Sequence, residues 1–287
     1  MEAKARQLEA LLKDMGGVLV AFSGGVDSSV LLAAAHRAIG RDVVAVTGRS
    51  ASFPAHDLES ARTVSSKLGV RWITLESGEL DDQRYKGNPP NRCYFCKKSL
   101  FARLLERASE EGLPFVVEGS NTDDLNDIRP GMAAVRELGI RSPFLDVGVG
   151  KEMIRRLAKH YDLPNWDKPS SPCLASRIPY GEQITPERLQ RIDRSEAVLR
   201  GLGFRQLRVR DHGTLARVEL MAEDMERLLE RGMRDAVIAA CRDAGYIYVT
   251  LDLQGYRTGA MHEAVNTGGG ELGTVCGASG CTKDLPA

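Results

Sequence analysis

The sequence predicts an α/β protein: a parallel-sheet domain covered by helices, followed by a second, smaller α+β domain. Three observations carry this reading. Short β-branched apolar runs alternate with helical stretches through the first half, the pattern of βαβ units. A proline-rich stretch, Asp162 to Cys173, then interrupts the alternation. Beyond it, two strands of alternating polarity flank Asp211-His212-Gly213, a hairpin turn signal.

The elements follow in order. Residues 4–14 read as a helix leading into a buried strand, Val18 to Phe22. After a Gly/Ser turn, Val30 to Ala35 begins the next helix, and Asp42–Thr47 is a second buried strand. Asp57–Leu68 reads as a helix, Val70–Leu75 as a third strand and Leu113–Gly119 as a fourth. Ser142–Leu145 is expected to be a short fifth strand, followed by a helix over Lys151–Tyr161. In the second half, Thr185 caps a helix with Pro186 at its first position, running to about Leu199. Strands Gln206–Arg210 and Leu215–Leu220, a helix over Ala222–Arg242 and a strand over Tyr246–Leu251 complete the small domain. The expected division is 1–165 for the sheet domain, 166–182 for a loop or linker and 183–265 for the small domain. Residues 266–287 are a Gly/Thr/Ser-rich tail expected to be poorly ordered.

The turn after the first strand carries the clearest chemistry. Gly24 and Gly25 let the backbone turn sharply with no Cβ in the way. Ser23, Ser28 and Ser29 converge with the first free N–H groups of the following helix, which makes an anion site suited to phosphate. A tight, merely structural Gly/Ser turn is the bland alternative. No Gly-Lys-Ser/Thr follows, so this is not a Walker A loop. Ligands of parallel sheets sit outside the carboxyl ends of the strands, where this turn, the Thr47 loop and the Gly119 loop all lie. One nucleotide can touch all three.

Composition bounds the rest. The 287 residues suffice for a sizeable core in one or two domains. Formal net charge is zero, so no global positive field argues for nucleic acid. No apolar run is long enough for a membrane span, and the N-terminal stretch is a charged amphipathic helix rather than a signal segment. A cytoplasmic location is expected, which makes the six cysteines thiols or metal ligands before disulfides. Cys93 and Cys96 form a Cys-x-x-Cys pair ahead of a helix, and Cys173 follows Pro172. Residues alone leave an iron–sulfur cluster, a redox dithiol and buried thiols open. Cys241 reads as packing, and Cys276 and Cys281 in the tail are left without a role.

Other side chains suit a chemical role and a simpler one. Asp27 suits Mg²⁺ or a loop amide, or it merely caps a helix. Lys97 suits phosphate charge or is a solvated helix-start lysine. Arg208 and Arg210 alternate along a strand and share a face, fit for bidentate bonds to a substrate phosphate or for plain solvation. Arg257 is a weaker candidate for the same phosphate, and His212 a turn residue. Asp123 and Asp124 suit ribose or metal, or an N-cap.

The Ser-Gly-Gly-x-Asp-Ser turn resembles the PP-loop of the ATP pyrophosphatases, the adenine nucleotide α-hydrolase-like fold. With it, in order, come Asn91–Lys97, Glu118–Asp124, Arg129-Pro-Gly131, Ser171-Pro-Cys-Leu-Ala-Ser-Arg-Ile-Pro-Tyr-Gly181 and Leu207–His212. Together these resemble the LarE family of ATP-dependent sulfurtransferases, which act on pyridinium-3,5-biscarboxylic acid mononucleotide in nickel-pincer cofactor biosynthesis. The resemblance implies that Mg²⁺-ATP adenylates a substrate carboxylate with release of pyrophosphate. It implies Cys173 as the attacking residue, Arg129 at the nucleotide, and Ser176 and Arg177 as residues that position the Cys173 loop. Some members carry three cysteines holding a 4Fe–4S cluster, the pattern of Cys93, Cys96 and Cys173; others sacrifice the one cysteine in a single turnover. Homo-oligomers are implied. A PP-loop tRNA thiolase, which needs a basic surface, and an ammonia-dependent amide ligase, which needs no Cys173, are the rivals.

Overall fold

Val18–Ala21 forms the central strand, β1, and its alternation explains the layers on either side. Val18 and Val20 pack to one face and Leu19 to the other, as a period of two demands. The computed structural model describes residues 1–126 and 130–257. Arg129, Cys276, Cys281 and the expected tail lie outside the described residues. In chain order come α1 (Glu2–Met15), β1, α2 (Val26–Ile39), β2 (Val43–Arg49), α3 (Ala55–Leu68) and β3 (Arg71–Glu76). Then follow α4 (Gln83–Lys86), α5 (Arg92–Glu110), β4 (Phe115–Val117), α6 (Gly131–Glu137), α7 (Pro143–Asp146) and α8 (Lys151–His160).

The strands pair in parallel in the order β3-β2-β1-β4. Leu8 and Leu12 of α1, Leu32 of α2 and Leu157 of α8 bury against the Val18 face. Phe101 and Leu104 of α5, with Val135 of α6, bury against the Leu19 face. Each such side chain contributes about 1.5–3 kcal/mol of apolar burial. The chain leaves β1 for β2 on one side and returns to it as β4 on the other. That reversal opens a crevice at the carboxyl ends of β1 and β4, where open α/β sheets bind ligands.

The rest of the described chain is α9 (Pro186–Gly201), β5 (Leu207–His212), β6 (Leu215–Leu220), α10 (Ala222–Leu229), α11 (Arg231–Asp243) and β7 (Tyr248–Leu251). β5 and β6 form the expected hairpin, and β7 joins β6 in parallel. Thr185 caps α9 through its side chain, accepting from the Arg188 N–H at 3.3 Å. A separate apolar cluster of Tyr85, Leu174, Ile178, Ile184, Leu189 and Ile192 joins α4, the Cys173 loop and α9. Met1–Tyr256 is one compact unit by its internal contacts. No helix among the described residues is long and apolar enough to cross a membrane.

Two expectations fail here. Ser142–Leu145 is not a strand: Pro143 opens the short helix α7, and only a single bridge from Arg141 to Val117 continues the sheet edge. Pro143 has no N–H for a ladder but suits the first helical position. The expected helix over Ala222–Arg242 breaks at Glu230, whose backbone is extended at φ −56°, ψ 134°. At about 100° per residue, an unbroken helix would put Leu228 roughly opposite Val237. The break lets both bury in one cluster.

Candidate active site

The Gly/Ser turn leaves β1 through Phe22, whose N–H donates to the Val46 carbonyl at 2.8 Å. Gly24 sits at φ 68°, and a Cβ there would lie 2.7 Å from the Ala61 nitrogen and the Asp57 carbonyl oxygen of α3. Asn165 Nδ2, Lys168 Nζ and Ser60 Oγ donate to the Gly24 carbonyl at 3.0, 3.1 and 2.9 Å. The turn is thus fixed from outside. Gly25 is the N-cap of α2 and no side chain caps that helix, so its first-turn N–H groups remain available to an anion. Ser23 and Ser28 hydroxyls lie 3.1 Å apart beside them. Ser29 differs: it is buried, donates to the Gly25 carbonyl at 2.8 Å and accepts from Asn165 Nδ2 at 2.9 Å. It holds the turn rather than facing the crevice. Gly24→Ala is expected to cost about 2 kcal/mol or more, from the left-handed φ and the backbone clash. Urea unfolding and ATP titration check this; unchanged values of both would contradict it.

Ser23, Ser28, Asp27, Lys97 and Glu118 line the polar part of a cavity of about 300 Å³, while Phe22, Val46, Phe53 and Leu100 line its apolar part. Gly48 keeps the floor flat; a Cβ there would meet Leu100 Cδ1 at 2.4 Å. Gly119 lets the loop after β4 approach α2, with its would-be Cβ 3.2 Å from the Ser28 nitrogen. The shape suits a base against the apolar wall and phosphates at the turn. Thr47 is turned inward, donating to the Phe22 carbonyl at 2.6 Å and accepting from Trp72 Nε1 at 2.9 Å. Lys97 pairs with Glu118 at 3.4 Å. Glu118 also accepts from Ser142 Oγ at 2.6 Å and from the Ser120 N–H at 3.0 Å. Sequence reasoning gave Glu118 no role.

Asp27 accepts from Asn121 Nδ2 at 3.1 Å. Burial, reinforced by the nearby Asp124 charge, raises its pKa to about 6. Two adjacent carboxylates facing the phosphate turn suit a hard divalent cation. Asp123 points elsewhere, accepting the Lys151 N–H at the start of α8 at 2.6 Å. A carboxyl raised in the fold is destabilising where it must ionise. That penalty is absent below the ordinary Asp range, grows as pH rises and is complete above about pH 6. Asp27→Asn is therefore expected to stabilise by about 1–3 kcal/mol near pH 8 and little near pH 4. Melting temperatures across that range check the sign, with weaker Mg²⁺-ATP binding expected in parallel.

The cysteines form a second centre. Cys93 and Cys96 lie three residues apart on the first turns of α5, so they share a face. Cys173 precedes a short 3₁₀ turn, Leu174–Arg177, whose Leu174 N–H donates to the Ser52 carbonyl at 2.8 Å. Cys96 and Cys173 both pack on the Tyr85–Ile178 cluster. Burial pushes the Cys96 thiol well up, and Glu79, Cys173 and Cys93 push the same way. All four described cysteines are free thiols. Among the described residues, no three His, Cys, Asp or Glu side chains converge tightly enough to hold a metal ion.

Arginines brace the Cys173 loop. Arg177, fully buried, donates to the Pro172 and Cys173 carbonyls at 2.6 and 3.1 Å and to both Glu196 oxygens at 2.8 and 2.9 Å. Arg210 is buried, paired with Glu219 at 2.8 Å and donating to the Ser176 carbonyl at 2.7 Å. Arg208 donates to the Ser170 carbonyl at 2.9 Å and stacks on Tyr256. It makes no ion pair among the described residues, and burial with Arg177 nearby lowers its pKa to about 10. Neither strand arginine is on a solvated face. Arg257 is exposed. Sequence reasoning missed Asn165, Lys168 and Glu196, which sit in irregular or ordinary helical stretches with no periodic signal.

A parallel sheet with this turn at its switch point defines a PP-loop nucleotide-binding protein. No protein-family model matches the chain. An uncharacterized protein of Synechocystis sp. is 38% identical over 92% of this chain and 99% of its own length. The pyridinium-3,5-bisthiocarboxylic acid mononucleotide synthase of Lactiplantibacillus plantarum is 37% identical over 92% of this chain and 96% of its own. An NH₃-dependent NAD⁺ synthetase of Hyperthermus butylicus is 33% identical, over only 60% of this chain and 67% of its own. The chain belongs to the family of the pyridinium-3,5-bisthiocarboxylic acid mononucleotide synthases.

Proposed function

We propose that the chain uses ATP to transfer sulfur to the carboxylates of pyridinium-3,5-biscarboxylic acid mononucleotide, giving thiocarboxylates. The observation that carries this reading is one loop with two anchors. Asn165 and Lys168 tie its start to the Gly24 carbonyl of the phosphate turn, and Leu174 ties its end to Ser52. Cys173 lies between these anchors, which supports a thiol that meets a nucleotide held at the turn. An amide ligase has no use for that arrangement.

In this reading a substrate carboxylate oxygen attacks the α-phosphorus of ATP and pyrophosphate leaves toward the α2 amides, Ser23 and Ser28. Asp27 and Asp124 would hold Mg²⁺, which would offset phosphate charge there, with Lys97 adding a positive charge. The Cys173 sulfur then attacks the acyl carbon and AMP leaves, forming a thioester. In the sacrificial course a base takes the Cα proton, the Cβ–S bond breaks with its electron pair going to sulfur, and dehydroalanine remains. Cys93, Cys96 and Cys173 have the soft sulfur chemistry of iron–sulfur ligands, with Cys96 and Cys173 packed on one apolar cluster, but the three do not converge among the described residues. A 4Fe–4S cluster, were these three to hold one, would supply sulfide in place of the Cys173 sulfur. Arg208 and Arg210, with Arg257, are the candidates for the mononucleotide phosphate; Arg208, which makes no ion pair among the described residues, suits that role better than Arg210, which Glu219 already holds. The division into a nucleotide domain (1–165), a cysteine loop (166–182) and a substrate and oligomer domain (183–265) belongs to the same reading. So do a homo-oligomeric state and a cytoplasmic location, where the free thiols stay reduced.

AMP and pyrophosphate should form only when ATP and the pyridinium dicarboxylate mononucleotide are both present. ATP cleavage indifferent to that substrate would contradict the reading.

A further inference from the structure

Tyr85 is 1% exposed, seated on α4 in the apolar cluster that also receives Cys96 and Cys173. Its hydroxyl is buried and has no hydrogen-bond partner among the described residues. A buried phenol normally finds a partner, so an orphan O–H aimed into a reactive centre asks for an acceptor. The Ser52 hydroxyl, which donates to Glu79 Oε1 at 2.6 Å, lies nearby and has a lone pair to offer, but it is not in hydrogen-bond geometry with the phenol. Glu79, also buried, is held by Ser50 and Ser77 as well. The Cys96 and Cys173 side chains pack on the same cluster as the Tyr85 ring, and a neutral phenol can donate to sulfur.

We propose that the Tyr85 hydroxyl donates a hydrogen bond to the sulfur anion that reacts at Cys173. This rests on the sulfur-transfer reading and adds a positioning residue to it. The acceptor is either the Cys173 sulfur itself or a hydrosulfide delivered beside it; both are anionic sulfur in an apolar pocket, where a neutral donor is strongly felt. The unpaired hydroxyl is then a group kept for function at the cost of stability.

The test is Tyr85→Phe in the full chain, which removes the oxygen and leaves the ring. Pyrophosphate release in the first turnover with ATP and the pyridinium substrate should stay at the wild-type rate, while thiocarboxylate formation falls about ten- to hundredfold. The melting temperature should be unchanged or higher, since an unpaired buried hydroxyl is lost. Titration with sodium sulfide separates the two acceptors. Weakened hydrosulfide binding by the variant assigns a delivered sulfide; equal binding with slowed thiocarboxylate formation assigns the Cys173 sulfur. Equal thiocarboxylate formation by wild type and variant overturns the proposal. If the wild type cleaves no ATP with that substrate, the proposed function fails and the sulfide titration decides alone, equal affinities overturning the Tyr85 assignment.

Discussion

Cys173→Ala is expected to lower thiocarboxylate formation by about a thousandfold or more while AMP and pyrophosphate still form. The split follows from the two centres. In the proposed reading ATP and the carboxylate meet at the α2 turn, whose cavity Cys173 does not line. The thiol enters only when the acyl-adenylate must be opened, so its loss leaves the adenylate to water. A thousandfold corresponds to about 4 kcal/mol of transition-state stabilisation, the size of a missing nucleophile and well beyond a packing change at a half-buried side chain. The result holds whether Cys173 gives its own sulfur or is one ligand of a cluster. Separate assays of AMP and thiocarboxylate read it directly. Full thiocarboxylate formation by the variant would mean that sulfur reaches the acyl carbon without Cys173 and would contradict its role.

Glu196→Gln is expected to be the most destabilising single change near the site, by about 3–5 kcal/mol. Glu196 is fully buried and accepts from Arg177 at 2.8 and 2.9 Å, Arg200 at 2.7 Å and the Val209 N–H at 3.1 Å. Burial alone would raise its pKa, but Arg177, Arg200 and Arg208 outweigh it and hold the carboxyl at about 2. Gln keeps the shape and removes the charge, leaving buried guanidiniums uncompensated. The linkage has a definite sign. A carboxyl depressed in the fold stabilises above its unfolded pKa of about 4.3, and that stability is lost as pH falls toward about 2. Urea midpoints should therefore show a large gap between wild type and variant near neutral pH, shrinking as the medium becomes strongly acid. Arg205→Ala, which removes an exposed pair with Asp167, should leave the midpoint unmoved. Since Glu196 holds Arg177, which holds the Pro172 and Cys173 carbonyls, sulfur transfer should fall with stability in Glu196→Gln.

Much of the sheet was legible because its strands are continuous apolar runs and its phosphate turn is punctuated by glycine. Val18–Ala21 and Val43–Arg49 are buried nearly throughout, and Gly24 has the positive φ its position required. Ser142–Leu145 misled because three apolar residues look alike in strand and helix, and Pro143 decided the matter through its missing N–H. The break at Glu230 was hidden because each half of Ala222–Asp243 is a good helix; only the phase of Leu228 against Val237 betrays it. At the site, residue types announced the thiols and the turn but not the ties between them. Asn165 and Lys168 reach Gly24 across about half of the chain's length, and no local pattern encodes such a contact. The arginines of β5 show the same limit: alternation put Arg208 and Arg210 on one face, while tertiary packing made that face an interior one.

The measurement that bears most directly on sulfur transfer through Cys173 is one anaerobic turnover with ATP and the pyridinium substrate, followed by product mass, intact protein mass and iron content. The account predicts a thiocarboxylate product with AMP. It predicts either about four irons per chain with Cys173 intact, or no iron and a loss of about 34 Da at Cys173. A product without sulfur, formed at the same rate by Cys173→Ala, would contradict it.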